Sequence, residues 1–323
     1  MVRRKILSWT HKVTISMFVA ILLLGPNARA DERHPESTAA QATEGEADRD
    51  CGRKHTQSSQ QASPQEPGTR KHSLFSSWLH MAEKAQANQP DWLSPLATTS
   101  GRLKNEFRYD VWDQPSSAGS RIYQLGGNKG LEFITSSRTQ LLVGVPTYTI
   151  DSASGPPSGF GDLPLMLKFR IASAEQSEGN YLLTFLLAAT AATGSHRYSA
   201  GDSVLSPALA FGKGWGKFDA QSTFGANLPA GDAAKLGRQV QWNTAFQYRA
   251  GWKLWPEFEV NSTFYKTGKN AGDKQVFLTP GFGFGRIHLG RNLRLSSAAG
   301  MQIAATRFHT YNHRWMFSTR VSF

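Results

Sequence analysis

Arg314-Trp315-Met316-Phe317-Ser318-Thr319-Arg320-Val321-Ser322-Phe323 ends the chain. From Trp315 onward the odd positions are apolar or Thr, whereas the even positions, except Met316, are Ser or Arg. A two-residue period of this kind predicts a β-strand with one apolar and one polar face. The period alone does not identify the surroundings of the apolar face, because a strand of a soluble sandwich alternates in the same way.

The same period begins at residue 102 and recurs along the rest of the chain. In the first such segment the even positions are Arg102, Lys104, Glu106, Arg108 and Asp110. An unbroken charged face is not what a soluble core would receive. Segments 217–228 and 240–250 repeat the alternation, with these side chains on their apolar face: Phe218, Phe224, Trp242 and Phe246. We therefore expect the apolar faces to point outward and the polar faces to point toward an enclosed axis.

Counting these segments predicts twelve strands. Their expected ranges are 102–113, 121–135, 138–148, 161–172, 181–193, 203–213, 216–228, 238–250, 255–266, 275–288, 293–305 and 314–323. The connections alternate between short turns and longer loops, apart from 173–180. Short turns at one end and long loops at the other are typical of transmembrane barrels, and an even strand count puts both ends of the barrel on the short-turn side. The predicted fold class is all-β, an antiparallel up-and-down transmembrane β-barrel of about 12 strands.

Two groups of residues refine this expectation. Trp112, Tyr148, Trp215, Trp252 and Trp255 fall near the ends of predicted strands, where aromatic girdles meet lipid headgroups. Four prolines interrupt the period, and because a closed barrel has no free edge we expect strand ends or bulges at each of them: Pro146, Pro164, Pro207 and Pro280.

The region before the barrel divides into three parts. Residues 1–30 carry an early basic group, an apolar run of 12 residues and the site Ala28-Arg29-Ala30. This pattern predicts a signal peptide, because a spanning helix needs about 20 apolar residues. Residues 31–72 lack any apolar period, which predicts disorder in the periplasm. Residues 73–101 begin with a short amphipathic helix, which could lie on the inner leaflet, plug the barrel or pack nowhere firmly.

The charge balance excludes one class of partner. The chain carries 36 basic and 24 acidic residues, and removing the five basic residues of the leader leaves 31 against 24, a net charge of +7. No run of Lys or Arg forms a stripe for nucleic acid. The single cysteine, Cys51, cannot form an internal disulfide and follows acidic residues unlike those of a lipidation site.

Several short sequence motifs of the chain resemble those of a known family. They are Ser94-Pro95-Leu96 with Thr98-Thr99, the segment 103–110, Gly144-Val145-Pro146 and above all Gly159-Phe160-Gly161-Asp162 before Lys168-Phe169-Arg170. Residues 94–323 are similar to the outer-membrane proteins grouped as "MetA-pathway of phenol degradation". The resemblance implies a barrel channel or transporter, some of whose members are associated with uptake of aromatic compounds. The final Phe323 likewise resembles the end of outer-membrane barrels that the insertion machinery recognises.

The alternation selects candidate lumen-lining residues. They are Lys104, Glu106, Arg108, Asp110, Arg138, Lys168, Arg170, Lys217, Asp219, Gln247, Arg249, Glu257, Glu259 and Arg294. Twelve strands lie between the filled eight-stranded barrels and the open sixteen-stranded porins. The sequence therefore predicts passive or gated passage of a small solute, with aromatic and hydrophobic compounds as the candidates. The alternative is a filled structural or adhesion-type barrel.

Other functions receive less support. The loop residues His196, His309 and His313, with Ser195, Asp202 and Ser203, are candidates for a hydrolase site, but no nucleophile motif joins them. His309 and His313 alone are a weak metal signal. We expect no enzyme activity, no cofactor, no metal and no nucleic acid. The expected partners are outer-membrane lipid, lipopolysaccharide, the barrel-insertion machinery and the solute.

Overall fold

The computed structural model describes residues 74–116, 119–127, 129–153, 157–195, 197–251, 253–290 and 293–323. The predicted signal peptide, the predicted disordered segment 31–72, Trp252 and His196 lie outside these residues. No helix among them is both long and apolar enough to cross a membrane.

Helix α1 spans Leu74–Ala87 and helix α2 spans Ala233–Leu236. Three strands are each interrupted once: β2 (Arg121–Gly126 and Gly130–Ile134), β3 (Thr139–Gly144 and Tyr148–Asp151) and β4 (Gly159–Phe160 and Leu163–Ala174). The others are β1 (Glu106–Pro115), β5 (Tyr181–Ala191), β6 (Val204–Trp215), β7 (Phe218–Pro229), β8 (Gln239–Tyr248), β9 (Leu254–Tyr265), β10 (Lys274–His288), β11 (Arg294–Ala304) and β12 (His313–Ser322).

The sheet closes on itself. Every strand pairs antiparallel with its neighbours in sequence, and β1 pairs with β12 from Glu106 opposite Ser322 to Asp113 opposite Trp315. The predicted antiparallel barrel of twelve strands is confirmed. The prediction that β1 begins at residue 102 was wrong, because Leu103 and Lys104 direct their N–H groups to the side chains of Gln89 and Gln140 instead of a strand.

The two faces of the barrel have the predicted polarity. Phe224 and Trp242 keep 50% and 53% of their surface exposed on the outside. Glu259 and Arg320, which point inward, are 0% exposed. A soluble protein would reverse this arrangement. The outward apolar surface is therefore continuous around the sheet, as a lipid-facing wall requires.

Two of the four prolines lie at strand ends or interruptions as expected, and the other two do not. Pro146 lies in the interruption of β3 and Pro164 near a strand end, as predicted. At Pro207 and Pro280 the pairing with one neighbouring strand lapses and then resumes in the same register. Proline removes a donor without adding a residue, so the ladder loses bonds but does not slip. The register shifts instead occur between Arg170 and Ala172 and between Gly285 and Ile287.

Two tryptophans expected at the rims point inward instead. Trp255 is buried, and Trp112 shares the inward face of β1 with Arg108 and Asp110. The preference of tryptophan for the rims concerns its position along a strand. The alternation of side chains along that strand determines whether the ring faces the bore or the outside. Trp215 is exposed on the outside of the short-turn end, as expected.

Candidate functional site: the bore and the segment that crosses it

Ten of the fourteen candidate lumen-lining residues are buried in the barrel. They are Lys104, Glu106, Arg108, Asp110, Lys168, Arg170, Asp219, Gln247, Glu257 and Glu259. Arg138, Lys217, Arg249 and Arg294 are exposed at the short-turn end. These four lie in turns or at a strand end, where the alternation that selected them no longer fixes the direction of a side chain.

Helix α1 occupies the short-turn end of the bore. Ala82 and Ala85 pack with Leu103 and with Ile134 of β2. Trp78 donates from Nε1 to the Ile134 carbonyl at 2.7 Å. Of the three placements that the sequence left open for this helix, these contacts match the one that plugs the barrel, with the helix at the short-turn mouth and Glu83 and Lys84 exposed.

Residues 88–105, which we call the crossing segment, continue from α1 across the bore. Its first anchor is the seam between β12 and β1. Arg320 donates to the carbonyls of Ser94 and Pro95, and Arg108 donates to those of Pro95 and Leu96 at 3.0 and 2.6 Å. Two buried guanidinium groups therefore replace the sheet partners that these carbonyls lack.

The second anchor is Glu259 on β9. Its carboxylate accepts hydrogen bonds from the N–H groups of Ala97 and Thr98 at 2.8 and 2.6 Å, and from the Thr98 hydroxyl at 2.6 Å. Charge-assisted hydrogen bonds of this type are about twice as strong as neutral ones. Among the described residues this buried carboxylate has no cation within 4 Å, and the backbone of the crossing segment stabilises it instead.

The remaining anchors complete the circuit of the wall. Thr223 of β7 donates to the Thr99 carbonyl at 2.8 Å, and Thr184 of β5 donates to the Gly101 carbonyl at 2.8 Å. Lys168 of β4 donates to the Ser100 carbonyl at 3.2 Å. Residues 94–101 are therefore bonded to β12, β1, β9, β7, β4 and β5 in turn, so the crossing segment spans the bore between opposite walls. Its two ends also bond to the wall, to β10 at Asp91 and Trp92 and to β3 and β2 at Lys104 and Asn105.

Charges on the inner wall are unevenly distributed. On β1, β2 and β4 the acids have cation partners: Lys104 Nζ lies 2.6 Å from Glu106, Lys168 Nζ 3.0 Å from Glu132, and Arg108 2.8 Å from Asp110. On β7–β9, Asp219 and Glu257 contact the amides of Gln221 and Gln247. Within the described residues these two acids have no cation within 4 Å, so the bore has an acidic side.

Aromatic side chains line the opposite end of the bore, nearer the long loops. Arg314 Cζ lies 4.1 Å from the ring centre of Trp112 and 4.7 Å from that of Tyr311. Tyr311 stacks on Phe277 with 4.4 Å between ring centres. Burial raises the pKa of Tyr311 to about 12, so its hydroxyl stays neutral and donates to Gln302. This outer part offers flat apolar faces beside a guanidinium.

The Gly159–Asp162 turn supports a loop. Asp162 accepts hydrogen bonds from the N–H groups of Gly194 and Ala200 at 2.9 and 2.8 Å. Burial alone would raise the pKa of the Asp162 carboxyl, but these bonds hold it below its usual value. The turn is therefore a structural support for loop 192–203 in this structure.

The loop candidates for catalysis do not come together among the described residues. Ser195 donates to the Phe160 carbonyl, Asp202 accepts from the Asp232 N–H, and His309 contacts Thr306 and Asn312. No cluster of three or more His, Cys, Asp or Glu that could hold a metal ion occurs in the part of the chain that the structure describes.

The crossing segment was not predicted from the sequence. Residues 90–101 have no regular period, because their bonds go to wall side chains and not to a helix or a ladder. One signal was present: the apolar residues Trp92, Leu93 and Leu96 stand in a stretch expected to be a linker, and all three are buried. Arg314 and Arg286 also reach the interior without having been selected.

Comparisons with known proteins identify no family. No family model matches the sequence, and no curated protein matches it. Among solved structures, the chain is similar to an outer membrane channel from Pseudomonas putida F1 (14% identity, 72% of this chain and 100% of that chain, TM-score 0.48). It is also similar to the NanC porin (8%, 67% and 98%, 0.45) and to an anion-selective porin from Comamonas acidovorans (9%, 67% and 96%, 0.32).

Similarity at this level assigns no function to the chain. The resemblance to the phenol-degradation family therefore stays a prediction.

Proposed function

We propose that the chain is an outer-membrane channel for small solutes, gated by the crossing segment. The observation that carries this proposal is a barrel with an apolar outer wall whose polar bore is crossed by one continuous stretch of chain. That stretch is held by side-chain hydrogen bonds rather than by sheet ladders, so it can leave the wall without unpairing any strand. Such an element is suited to opening and closing a passage.

The proposed solute is small and aromatic or hydrophobic. Supporting this are the inward rings of Trp112, Phe277 and Tyr311 in the outer part of the bore. Flat apolar faces with a few placed polar groups are the usual lining of small-molecule sites. The resemblance of the sequence to barrels linked with aromatic uptake points the same way.

Lipid, lipopolysaccharide and the insertion machinery remain proposed partners. Phe323 follows the last residue of β12, where its N–H donates to the Asn105 carbonyl at 3.0 Å, and its side chain is exposed. This position leaves the terminal ring accessible to an insertion partner before the barrel closes.

One observation favours a second function, a non-conducting structural barrel. Leu96, Thr98, Ser100 and Leu103 of the crossing segment are almost completely buried, and the segment has hydrogen-bond or ion-pair partners on nine of the twelve strands. If the crossing segment never leaves the bore, the protein has a structural role in the membrane and does not conduct solutes.

A reversible cross-link distinguishes the two functions. Thr98 Oγ1 lies 3.4 Å from Asn261 Nδ2 on β9, so cysteines at both positions, T98C with N261C, would tie the segment to the wall. The native Cys51 is first replaced by Ser. In a planar bilayer we expect the oxidised double variant to conduct no ions and the reduced form to recover the wild-type conductance, with T98C and N261C alone as controls.

Equal conductance of the oxidised and reduced forms would show that solutes bypass the crossing segment. Absence of conductance in every form, the wild type included, would favour the structural barrel.

A further inference from the structure

We infer that a small inorganic oxyanion, such as phosphate, binds between the crossing segment and the wall at the short-turn end of the bore. A cavity of about 60 Å³ lies there. Its lining includes five cationic side chains: Arg102, Lys104, Arg286, Arg294 and Arg320. Only two acids, Asp91 and Glu106, line it with them.

The pairing of these groups leaves positive charge uncompensated. Asp91 is shared by Arg102 and Arg286, and Glu106 pairs with Lys104 at 2.6 Å. Lys104 also lies 3.5 Å from Glu132, a carboxylate that is outside the cavity lining. Among the described residues, neither Arg294 nor Arg320 has a carboxylate within 4 Å. Five cations against two acids give the lining a formal charge of +3, which attracts an anion into the cavity.

Arg320 carries a buried positive charge that is unfavourable without a nearby anion. Its side chain is 0% exposed, and its donors go to the carbonyls of Ser94 and Pro95 and to the Ser318 hydroxyl. These are neutral groups, whereas a buried charge is normally paired with an opposite one. An anion in the adjoining cavity would supply that missing charge.

Arg102 supplies an independent indication of a ligand. Its Nε atom is buried and has no hydrogen-bond partner among the described residues. Buried donors are seldom left unpaired, and an oxyanion presents several acceptors to an arginine at once.

The size and position of the cavity define the class of ligand. At about 15 Å³ for each water molecule, the cavity has room for about four waters. That space fits a single oxyanion and is too small for a nucleotide or a lipid headgroup. Arg294 is exposed and the Asp91 side chain is 55% exposed. A free ion can therefore enter from the short-turn end.

This inference goes beyond the proposed function. Asp91, Arg102 and Lys104 belong to the crossing segment, whereas Arg286, Arg294 and Arg320 belong to the wall. An anion among them would join the two, and its release would weaken the contact between them. Binding requires no conduction, so a barrel that proves non-conducting would leave the inference standing.

Calorimetric titration with inorganic phosphate tests it. The protein without its leader is folded in a non-ionic detergent free of phospholipid, and chloride holds the ionic strength constant. We expect saturable binding to the wild type and at least about ten-fold weaker binding to R294Q and to R102Q, since each removes a charge-assisted contact. K217Q removes a cation from the same end but outside the cavity, and should bind as the wild type does.

Folding of each variant is checked by its heat-dependent migration on a gel. R294Q changes an exposed residue, so it keeps the test valid even if R102Q does not fold. Absence of saturable binding to the wild type, or equal affinity of R294Q and the wild type, would overturn the inference.

Discussion

Glu259 binds the backbone of the crossing segment through its buried carboxylate. Its alternation with apolar neighbours on β9 was enough to predict that it faces inward. The sequence did not reveal its partners, because they are backbone N–H groups of residues about 160 positions earlier in the chain. An isolated buried carboxylate is unfavourable, so the pairing stabilises both the acid and the crossing segment.

Replacing this carboxylate should loosen the crossing segment. In E259Q an NH2 group replaces one carboxylate oxygen. Because this NH2 group is itself a donor, it cannot accept a hydrogen bond from the N–H groups of Ala97 and Thr98. The loss should be about 2 kcal/mol, or about thirty-fold faster hydrogen exchange at residues 97–99, measured by mass spectrometry. E178Q, a change in an exposed turn, should exchange as the wild type does. Unchanged protection in E259Q would show that Glu259 does not hold the segment.

At the scale of elements, loop 192–203 depends on an acid at the start of the long segment of β4. In the sequence, Gly159-Phe160-Gly161-Asp162 was notable only for its resemblance to a family motif, and the structure adds that Asp162 holds the neighbouring loop. The carboxyl has a lowered pKa in the folded state, so its contribution to stability is present above its unfolded pKa of about 4 and is lost as the pH falls through the folded value.

Acidification should therefore release this loop. Below about pH 4 we expect faster hydrogen exchange, corrected for the intrinsic rate, at residues 194–200. D162N should show the same exchange already at pH 7. Loop 266–273, which Asp162 does not contact, is the internal control. If the loop keeps full protection at pH 3 in the wild type, the carboxylate does not support it.

The strands were predictable and the crossing segment was not, for a physical reason. A strand repeats every two residues, so Phe218, Phe224 and Trp242 reveal its faces from sequence alone. The rule fails where the ladder ends, as at Arg138, Lys217, Arg249 and Arg294, which are exposed. It also has no counterpart for residues 90–101, whose conformation is set by wall side chains distant in sequence.

Across the whole molecule, the two sides of one sheet face two different environments. Trp242 and Phe246 of β8 are exposed on the outside, whereas Gln241 and Asn243 on the same strand face the bore and are half-buried. Lipid outside the barrel would solvate the apolar rings, and water inside it would solvate the polar side chains. Among the described residues, no part of the protein covers the outward rings.

Spin labels on β8 test this claim directly. In the Cys51→Ser background, single cysteines at 241, 242, 243 and 246 are labelled and the protein is placed in bilayers. Labels at 242 and 246 should collide with oxygen, which concentrates in lipid, whereas labels at 241 and 243 should collide with a water-soluble nickel chelate. The same collision rates at all four positions, or the reverse order, would contradict the account.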